Sequence, residues 1–333
     1  LDAIDDGAAP LDFAAIRPGP MATPPAEGEP AAFVYDARPI LTLAVGEHAG
    51  DGGATGLDAV DVGLEVDGWT VLQGVPLAPG GAVVLQRDEP LGDTVGVSAL
   101  SLSLRFTVDG APLGVQTLPL RIYRLLGPSA FGSARPAYRP WAPVVEQGLV
   151  AIDGAPADDE AVVDALVAFV FDDLGLVYDT VSGASAYTEY GPGFRDPHFL
   201  LSDFLVRRFG STINCSDAGN ILGAYANMLG APLHHVILEP GFDLNFVRAI
   251  GTPEHTRCPF GPFGCSFSYH AVTSLPGSAA VWDATLALDG DSNPRALPAT
   301  DLLVQDIDDD EYLDRLVRAG APSYEDQGQE TLQ

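Results

Sequence analysis

The chain has 333 residues, with 16 basic and 46 acidic side chains and a formal net charge of −30 at pH 7. Because sequence-independent nucleic-acid binding and docking on anionic lipid both require basic residues, this balance argues against both kinds of partner. Every basic residue is Arg, which excludes chemistry that needs a lysine, such as a Schiff base or a P-loop. No apolar run approaches the roughly 20 residues that cross a bilayer, so we expect no membrane span.

The first 30 residues contain six prolines and little hydrophobic periodicity, which is typical of an irregular arm. We interpret residues 1–30 as a spacer, and the alternative is an arm that packs on a neighbouring molecule. Either way, this segment is not expected to contribute to a hydrophobic core.

Residues 31–126 are predicted to form an all-β domain, because short apolar runs recur between Gly, Pro and Asp. Leu100, Leu102 and Leu104 occupy alternate positions, so their side chains are expected on one face of a strand. Asp109-Gly110 is a typical hairpin turn. About seven strands in this length favour an immunoglobulin-like β-sandwich, interpreted as a spacer or binding module. Four prolines then mark residues 127–148 as a linker. The predicted strands are 40–45, 60–66, 82–86, 98–108 and 117–126.

From residue 149 the pattern changes to a mixture of helices and strands. Asp158, Asp159 and Glu160 precede a helical apolar period, so their charges lie at the positive end of a helix dipole. The sequence therefore predicts an α+β domain over 149–320, with a tail over 321–333. Further helices are predicted over 199–209, 216–229 and 308–319, and strands over 233–238, 266–274 and 279–283.

Three residues of this second domain form a candidate catalytic set, namely Cys215, His270 and Asp283. Cys215 precedes a predicted helix, where the positive end of the helix dipole stabilises a thiolate. His270 and Asp283 lie on strands joined by a glycine turn, so their side chains are expected to meet. In this arrangement His270 removes the proton of Cys215 and later protonates the leaving group, while Asp283 orients the imidazole.

The order of these motifs resembles that of the transglutaminase-like superfamily. The resemblance covers roughly residues 150–300 and rests on Cys215 at a helix start, the Leu-Gly-Ala-Pro turn at 229–232, His270-Ala271, and Trp-Asp-Ala-Thr at 282–285. It implies a papain-like α+β fold and acyl transfer through a thioester on the cysteine. The family often has His-Ala-Trp where this chain has His-Ala-Val.

A thioester mechanism also needs donors for the oxyanion of the tetrahedral intermediate. The backbone N–H of Cys215 is one candidate donor. The side-chain candidates are Asn214, Tyr178 and Tyr269.

The other two cysteines, Cys258 and Cys265, flank a short loop of Gly, Pro and Phe. This spacing favours a disulfide that rigidifies the loop leading to His270, with two free thiols as an alternative. A disulfide predicts a secreted or cell-surface protein. A third interpretation is a structural zinc site made of His255, Cys258, Cys265 and His270, which would occupy His270.

Two weaker motifs have structural interpretations. His234 and His235 are adjacent in a predicted strand, so one is expected to be buried and the other exposed. Asp289, Asp291 and Asn293 imitate the start of a calcium loop. The glycine of an EF-hand is missing there, so we reject an EF-hand and keep a looser calcium site as an alternative.

We therefore expect a thiol enzyme, without a cofactor, that cleaves or transfers amide acyl groups of a protein or peptide. It is a protease or amidase if water resolves the thioester and a transglutaminase if an amine does. The alternative is a catalytically inactive surface or appendage protein that associates through the β-sandwich and the N-terminal arm. The absence of lysine is attributed to the codon bias of a high-GC genome, and a bacterial source is expected.

Overall fold

The computed structural model describes residues 31–34, 40–44, 62–74, 82–108, 111–127, 130, 142–191, 196–259, 264–297 and 300–332. They fall into two compact units, one up to residue 128 and one from residue 129 onward. The predictions for residues 1–30 and for the turn at Asp109-Gly110 lie outside the described residues. In the part of the chain that is described, no helix combines the length and hydropathy needed to cross a membrane.

The first unit is built from a seven-stranded sheet with the order β1-β7-β6-β3-β4-β5-β2. All neighbouring strands are antiparallel except the parallel pair β1 and β7. Leu102 and Leu104 are buried while Ser101 and Arg105 are exposed, as the alternation predicts for a half-buried strand. Its strands are β1 Ala31–Val34, β2 Ile40–Ala44, β3 Val62–Val66, β4 Trp69–Gly74, β5 Ala82–Arg87, β6 Gly96–Val108 and β7 Ala111–Leu125.

The prediction of an immunoglobulin-like sandwich is not confirmed, because hydrogen bonds join all seven strands in a single sheet order. Its longest pair is β6 with β7, which extends from Gly96↔Arg124 to Val108↔Ala111 with a register shift between Phe106 and Thr107. Alternation of apolar residues identifies strands, but it does not identify the partner of each strand.

The second unit combines five helices with fourteen short and long strands in its described residues, which agrees with the α+β class. A π-helical turn, Phe169–Asp173, continues the second helix. The helices are α1 Ala142–Ala151, α2 Asp159–Ala168, α3 Leu201–Leu205, α4 Cys215–Leu229 and α5 Asp309–Leu316. The strands are β8 Val177–Tyr178, β9 Thr188–Glu189, β10 His198–Phe199, β11 Thr212–Ile213, β12 His234–Glu239, β13 Phe242–Leu244, β14 Val247–Ala249, β15 Ser266–Phe267, β16 His270–Ser274, β17 Ala280–Asp289, β18 Asp301–Asp308, β19 Val317–Ala319, β20 Ser323–Asp326 and β21 Thr331–Leu332.

Helix α4 is the centre of this unit, and all fifteen of its residues are buried. It packs against β12, β16 and β17 of the main sheet and against α1 and α2. Small residues such as Gly219 and Gly223 allow this close approach, since an added Cβ at Gly219 would lie 3.1 Å from the His235 ring. A helix buried on all sides has apolar or small residues nearly all round. Helix α4 follows this pattern except at the buried polar residues Asp217, Asn220 and Asn227.

Several predicted elements differ in extent from the observed ones. The helix predicted over 199–209 shortens to α3, because Phe199 pairs in β10 and Arg207 has a φ of 53° that ends the helix. The helix predicted over 308–319 ends at Leu316, and β19 continues as a partner of β13. The strand predicted over 266–274 divides into β15 and β16, with Ser268 and Tyr269 between them.

Two predicted domain boundaries also differ from the limits of the observed elements. Helix α1 begins inside the predicted linker 127–148, because Val144, Val145 and Leu149 are fully buried and supply an apolar face despite Pro143. The predicted tail 321–333 belongs to the second unit, since β20 pairs with β12 and β21 pairs with β10. These two strands are short and polar at the sheet edges, so hydrophobic alternation does not mark them.

Candidate active site

Cys215 is the first residue of α4, one position earlier than the predicted helix start. Its position is set by a capping box: the side chain of Asn214 accepts from the backbone N–H of Asp217, and Asp217 accepts from that of Asn214. Cys215 is 3% exposed and is the free cysteine of the chain. Because the first N–H groups of a helix have no partner within the helix, this end offers donors and a positive dipole to the thiol group.

The carboxylate of Asp217 also ties α4 to the loop before β9. It accepts hydrogen bonds from Ser185 Oγ at 2.6 Å, Ala186 N at 2.7 Å and Tyr187 N at 2.9 Å, besides Asn214 N at 3.3 Å. Asp217 is fully buried, so these bonds replace the water that its charge would otherwise need. The position of the helix start therefore depends on a buried carboxylate whose contacts with the loop no local sequence pattern records.

His270 and Asp283 form a fully buried pair, with 2.9 Å between Nε2 and Oδ2. The same Oδ2 accepts from the Tyr312 hydroxyl at 2.8 Å, and Oδ1 accepts from the backbone N–H groups of Thr285 and Leu286 at 2.7 and 3.3 Å. Four donors thus surround the carboxylate, as a buried charge requires. Tyr312 lies on α5, and no local motif marks it in the sequence.

The imidazole of His270 contacts one aromatic ring, that of Phe267, and one charged group, the carboxylate of Asp283. The ring stacks on Phe267, with 4.6 Å between the ring centroids. Burial alone lowers the pKa of His270, but the charge and hydrogen bond of Asp283 and the contact with Cys215 outweigh it and raise the pKa to about 10. Since Nε2 is occupied by Asp283, Nδ1 is the nitrogen left for Cys215, and Nδ1 has no hydrogen-bond partner in the described part of the chain.

A cleft of about 270 Å³ opens onto Cys215. Among the described residues, no charged side chain lines it, although the chain carries a net charge of −30. The nearby carboxylate of Asp179 is turned toward its own turn, where it accepts from Val181 N and Ser182 N at 2.9 and 3.0 Å. The lining is made of hydroxyl groups, small residues and aromatic edges, including Ser182, Ser266, Ser268 and Phe267.

The three side-chain candidates for the oxyanion donor lie near Cys215, but they differ in what they offer. Asn214 Nδ2 donates to Gly183 O at 3.1 Å and to the Tyr269 hydroxyl at 3.4 Å, so this amide is committed to the surroundings of the helix cap. Tyr178 and Tyr269 both line the cleft. Burial and the proximity of Cys215 raise the pKa of Tyr178, and raise that of Tyr269 to about 12, so both hydroxyl groups remain donors at neutral pH.

Cys258 and Cys265 form a disulfide, with 3.9 Å between their Cα atoms. The zinc interpretation is therefore wrong, because these sulfurs bond to each other and His270 Nε2 bonds to Asp283. Among the described residues, a group of three aspartates at the start of α5 lies close enough together to hold a metal ion, namely Asp308, Asp309 and Asp310. That run lies apart from the cleft lining and carries no further conclusion.

The two weaker motifs are the histidine pair His234-His235 and the calcium-like loop that begins at Asp289, and both have structural contacts. His235 is 1% exposed and His234 is half-buried, with 3.0 Å between its Nδ1 and Asp326 Oδ2. At the calcium-like loop, Arg315 donates to the carbonyl oxygens of Asp289 and Asp291 at 2.9 and 3.2 Å. A guanidinium already lies beside this loop, which argues against a calcium ion there.

Comparison with known proteins adds little to this geometry. No protein-family model and no curated protein sequence matches the chain. Solved structures that match include the crystal structure of red sea bream transglutaminase, at 12% sequence identity and a TM-score of 0.37, over 65% of this chain and 41% of that chain. The chain thus spans about two-fifths of that structure's length. A likeness at this level establishes neither fold nor activity, so function has to be argued from the site.

Proposed function

We propose that the chain is a thiol enzyme that cleaves or transfers amide acyl groups through a thioester on Cys215. His270 acts as general base and acid, and Asp283 orients the imidazole and stabilises its positive charge. The observation that carries the proposal is the fully buried His270–Asp283 pair together with the free Cys215, which interacts with His270 and lines a cleft.

The electrostatics of the pair support this role. A buried ion pair contributes little net stability, because desolvation of both charges offsets their attraction. Strongly shifted pKa values of buried groups in a cleft are typical of functional sites. The raised pKa of His270 keeps the imidazole protonated at neutral pH, and a protonated imidazole next to a thiol favours the thiolate as nucleophile.

The reaction follows from these positions. The Cys215 sulfur attacks the amide carbonyl, and the tetrahedral oxyanion accepts from the backbone N–H of Cys215 and from a tyrosine hydroxyl. The C–N bond then breaks, the amine leaves with a proton from His270, and a thioester remains. Water or a second amine, deprotonated by His270, attacks the thioester and releases a carboxylic acid or a new amide together with the thiol of Cys215.

The substrate and location follow from the cleft and the disulfide. An uncharged lining fits a protein or peptide segment without a charged side chain at the scissile position. A disulfide between Cys258 and Cys265 favours an oxidising environment, so we propose a secreted or cell-surface enzyme. No cofactor is required by this mechanism.

The test uses the full chain with N,N-dimethylcasein, with and without monodansylcadaverine as amine acceptor. Ammonia release, new amino termini and dansyl incorporation together separate deamidation, proteolysis and transamidation. We expect at least one of these products from the wild type and none from Cys215→Ala. Ser202→Ala, a change on α3 away from the cleft lining, is the matched control and retains wild-type rates.

The outcome that would overturn the proposal is equal product formation, or none, from the wild type and Cys215→Ala. The full chain would then be a transglutaminase-like surface or appendage protein without catalysis. Trapping with hydroxylamine adds a direct readout, because a thioester on Cys215 yields a hydroxamate of the acyl group.

A further inference from the structure

Tyr312 is a buried tyrosine that the proposed reaction does not use, although it contacts one of the three residues of that reaction. It lies on α5, is fully buried, and its hydroxyl group donates to Asp283 Oδ2 at 2.8 Å. Burial and the charge of Asp283 raise the pKa of Tyr312 far above its usual range. The hydroxyl group therefore keeps its single proton at neutral pH, and this proton is donated to Asp283.

Tyr312 shares its acceptor atom with His270. Nε2 of His270 lies 2.9 Å from the same Oδ2, and Oδ1 accepts from two backbone N–H groups at 2.7 and 3.3 Å. Donors on both oxygens oppose a rotation of the carboxylate, because a rotation would leave buried donors without an acceptor. The carboxylate only accepts, so Nε2 carries a proton toward it, and Nδ1 is the nitrogen that exchanges a proton with Cys215.

Helix α5, which carries Tyr312, has hydrogen bonds of its own at both ends. At its start, the side chain of Asp308 accepts from two backbone N–H groups of the first turn at 3.1 and 3.3 Å. At its end, Asn245 Nδ2 donates to two carbonyl oxygens at 2.9 and 3.3 Å. These bonds stabilise the ends of the helix whether or not the Tyr312 hydroxyl group is present, so the loss of that group need not unfold α5.

A hydrogen bond donated to a carboxylate changes how strongly the carboxylate attracts a neighbouring cation. Burial lowers the pKa of His270, but the charge and hydrogen bond of Asp283 outweigh burial and raise it to about 10. A second donor on the same oxygen opposes part of this charge, and the effect is strong in a buried site of low dielectric constant. An imidazolium that is held less tightly releases its proton more readily, as a general acid must.

The titratable groups around the pair keep a constant charge at neutral pH, apart from the reacting thiol. His235 is neutral, since burial and the charge of His270 lower its pKa to about 3. Burial raises the pKa of Tyr178 and that of Tyr324, so both are neutral as well. The groups that interact with the pair are Cys215 on α4, His235 on β12, Tyr178 on β8, Tyr324 on β20 and Tyr312 on α5.

We propose that Tyr312 is a positioning residue of the His270–Asp283 pair, which fixes the Asp283 carboxylate and, by sharing Oδ2, allows His270 to release its proton to the leaving group. This inference rests on the proposed function and adds a fourth side chain to it. The Nδ1 proton goes to the leaving amine, and the Nε2 proton stays in the bond to Oδ2. Tyr312 acts through Asp283 and does not touch the substrate.

The first test observes the shared oxygen directly and needs no activity. The Nε2–H proton between His270 and Asp283 gives a low-field ¹H NMR signal, because a hydrogen bond to a carboxylate is charge-assisted and strong. Its loss in His270→Ala assigns the signal. In Tyr312→Phe the oxygen no longer shares its charge with the hydroxyl group, so we expect the signal to move to lower field. A signal at the wild-type position would overturn the inference and leave the proposed function intact.

The second test separates two steps of one reaction, the hydrolysis of 4-nitrophenyl acetate by the full chain. The burst reports acylation of Cys215, in which 4-nitrophenolate leaves without a proton. The steady state reports hydrolysis of the thioester, for which neutral His270 must take a proton from water. We expect Tyr312→Phe to keep the burst rate and to slow the steady state at neutral pH by about fivefold, the worth of one ordinary hydrogen bond.

The pH dependence of the same steady state gives a readout that a merely structural role would not change. Without the Tyr312 hydroxyl group, His270 stays protonated to a higher pH. We therefore expect the midpoint of the steady-state rate to move upward by about 0.7 pH units, which is fivefold on a logarithmic scale. Equal losses of burst and steady state without a change of midpoint would overturn the inference.

The matched control is Tyr324→Phe. Its hydroxyl group also bonds to α5, at the carbonyl oxygen of Asp309 and 2.9 Å away, so the variant removes a tyrosine contact with the same helix. We expect the NMR signal, the burst and the midpoint to keep their wild-type values in this variant. Equal shifts in Tyr324→Phe and Tyr312→Phe would contradict the inference. No burst from the wild type would overturn the proposed function and this inference together.

Discussion

Asp283 is the residue on which the contacts of the candidate site converge, because its two oxygens accept from His270, Tyr312 and two backbone N–H groups. Its charge holds the pKa of His270 at about 10, above the ordinary value of 6.5, although burial acts in the opposite direction. Protonation of His270 therefore adds to the free energy of unfolding below about pH 6.5. That contribution is lost as the pH rises through about 10.

Replacing Asp283 by Asn removes this charge while the shape of the side chain is kept. We expect the pKa of His270 to fall below 6.5, because burial then dominates. An NMR titration of the His270 ring protons measures this change. Asp289→Asn, a fully buried aspartate on the same strand, is the matched control and leaves the titration unchanged. An unaltered His270 titration in Asp283→Asn would contradict the account.

At this scale, the sequence predicted that the side chains of His270 and Asp283 meet, because their strands are close in the chain, and the structure has them 2.9 Å apart. The catalytic roles of these two residues and of Cys215 stay a prediction. The burial of His235 beside the more exposed His234 also follows from strand alternation. The role of Tyr312 and the loop contacts of Asp217 were not predictable. Their partners lie 29 residues away at Asp283 and about 30 residues away in the loop before β9, and no local pattern records those contacts.

At the scale of elements, the start of α4 determines where Cys215 lies. Its capping residue Asn214 and the carboxylate of Asp217 connect the helix to a loop that carries Ser185 and Tyr187. This arrangement makes one buried carboxylate responsible for both the helix cap and the loop. The structure thus links the position of Cys215 to contacts distant in sequence.

The change Asp217→Asn tests that link. The amide has one oxygen in place of two, so N–H donors of the loop lose their acceptor, and we expect the free energy of unfolding to fall by about 2–4 kcal/mol. Urea denaturation measures the loss. Asp158→Asn, at the exposed N-cap of α2, is the matched control and changes stability little, because Asn caps as well as Asp. Equal stabilities of the two variants would argue against the anchoring role.

The elements that sequence reasoning predicted well are those with strong apolar patterns, such as α4, β6 and β12. The errors at the short strands have a common physical origin. These strands form by pairing with segments distant in the chain, and no local sequence pattern marks them. β10, β19, β20 and β21 each bond to a partner far along the chain, and their sequences are too short to show a hydrophobic period.

At the scale of the whole molecule, the net charge of −30 dominates the electrostatics. Repulsion among like charges destabilises a compact state, and salt screens it. We expect the thermal midpoint to rise between low ionic strength and about 1 M NaCl, where the Debye length is about 3 Å. Differential scanning fluorimetry measures it, and choline chloride should give a similar rise because screening does not depend on the cation. A fall in the midpoint would contradict this expectation.

The central claim is that Cys215 and His270 act as a pair. The pH dependence of iodoacetamide alkylation tests this claim most directly. Cys215 is the free thiol of the chain, so mass spectrometry reads one site. We predict rapid labelling near pH 6 in the wild type and in the His234→Ala control, because protonated His270 stabilises the thiolate. In His270→Ala, labelling should require a pH above about 8, as for an ordinary thiol. Wild-type labelling that begins only above about pH 8, or that is unchanged in His270→Ala, would contradict the account.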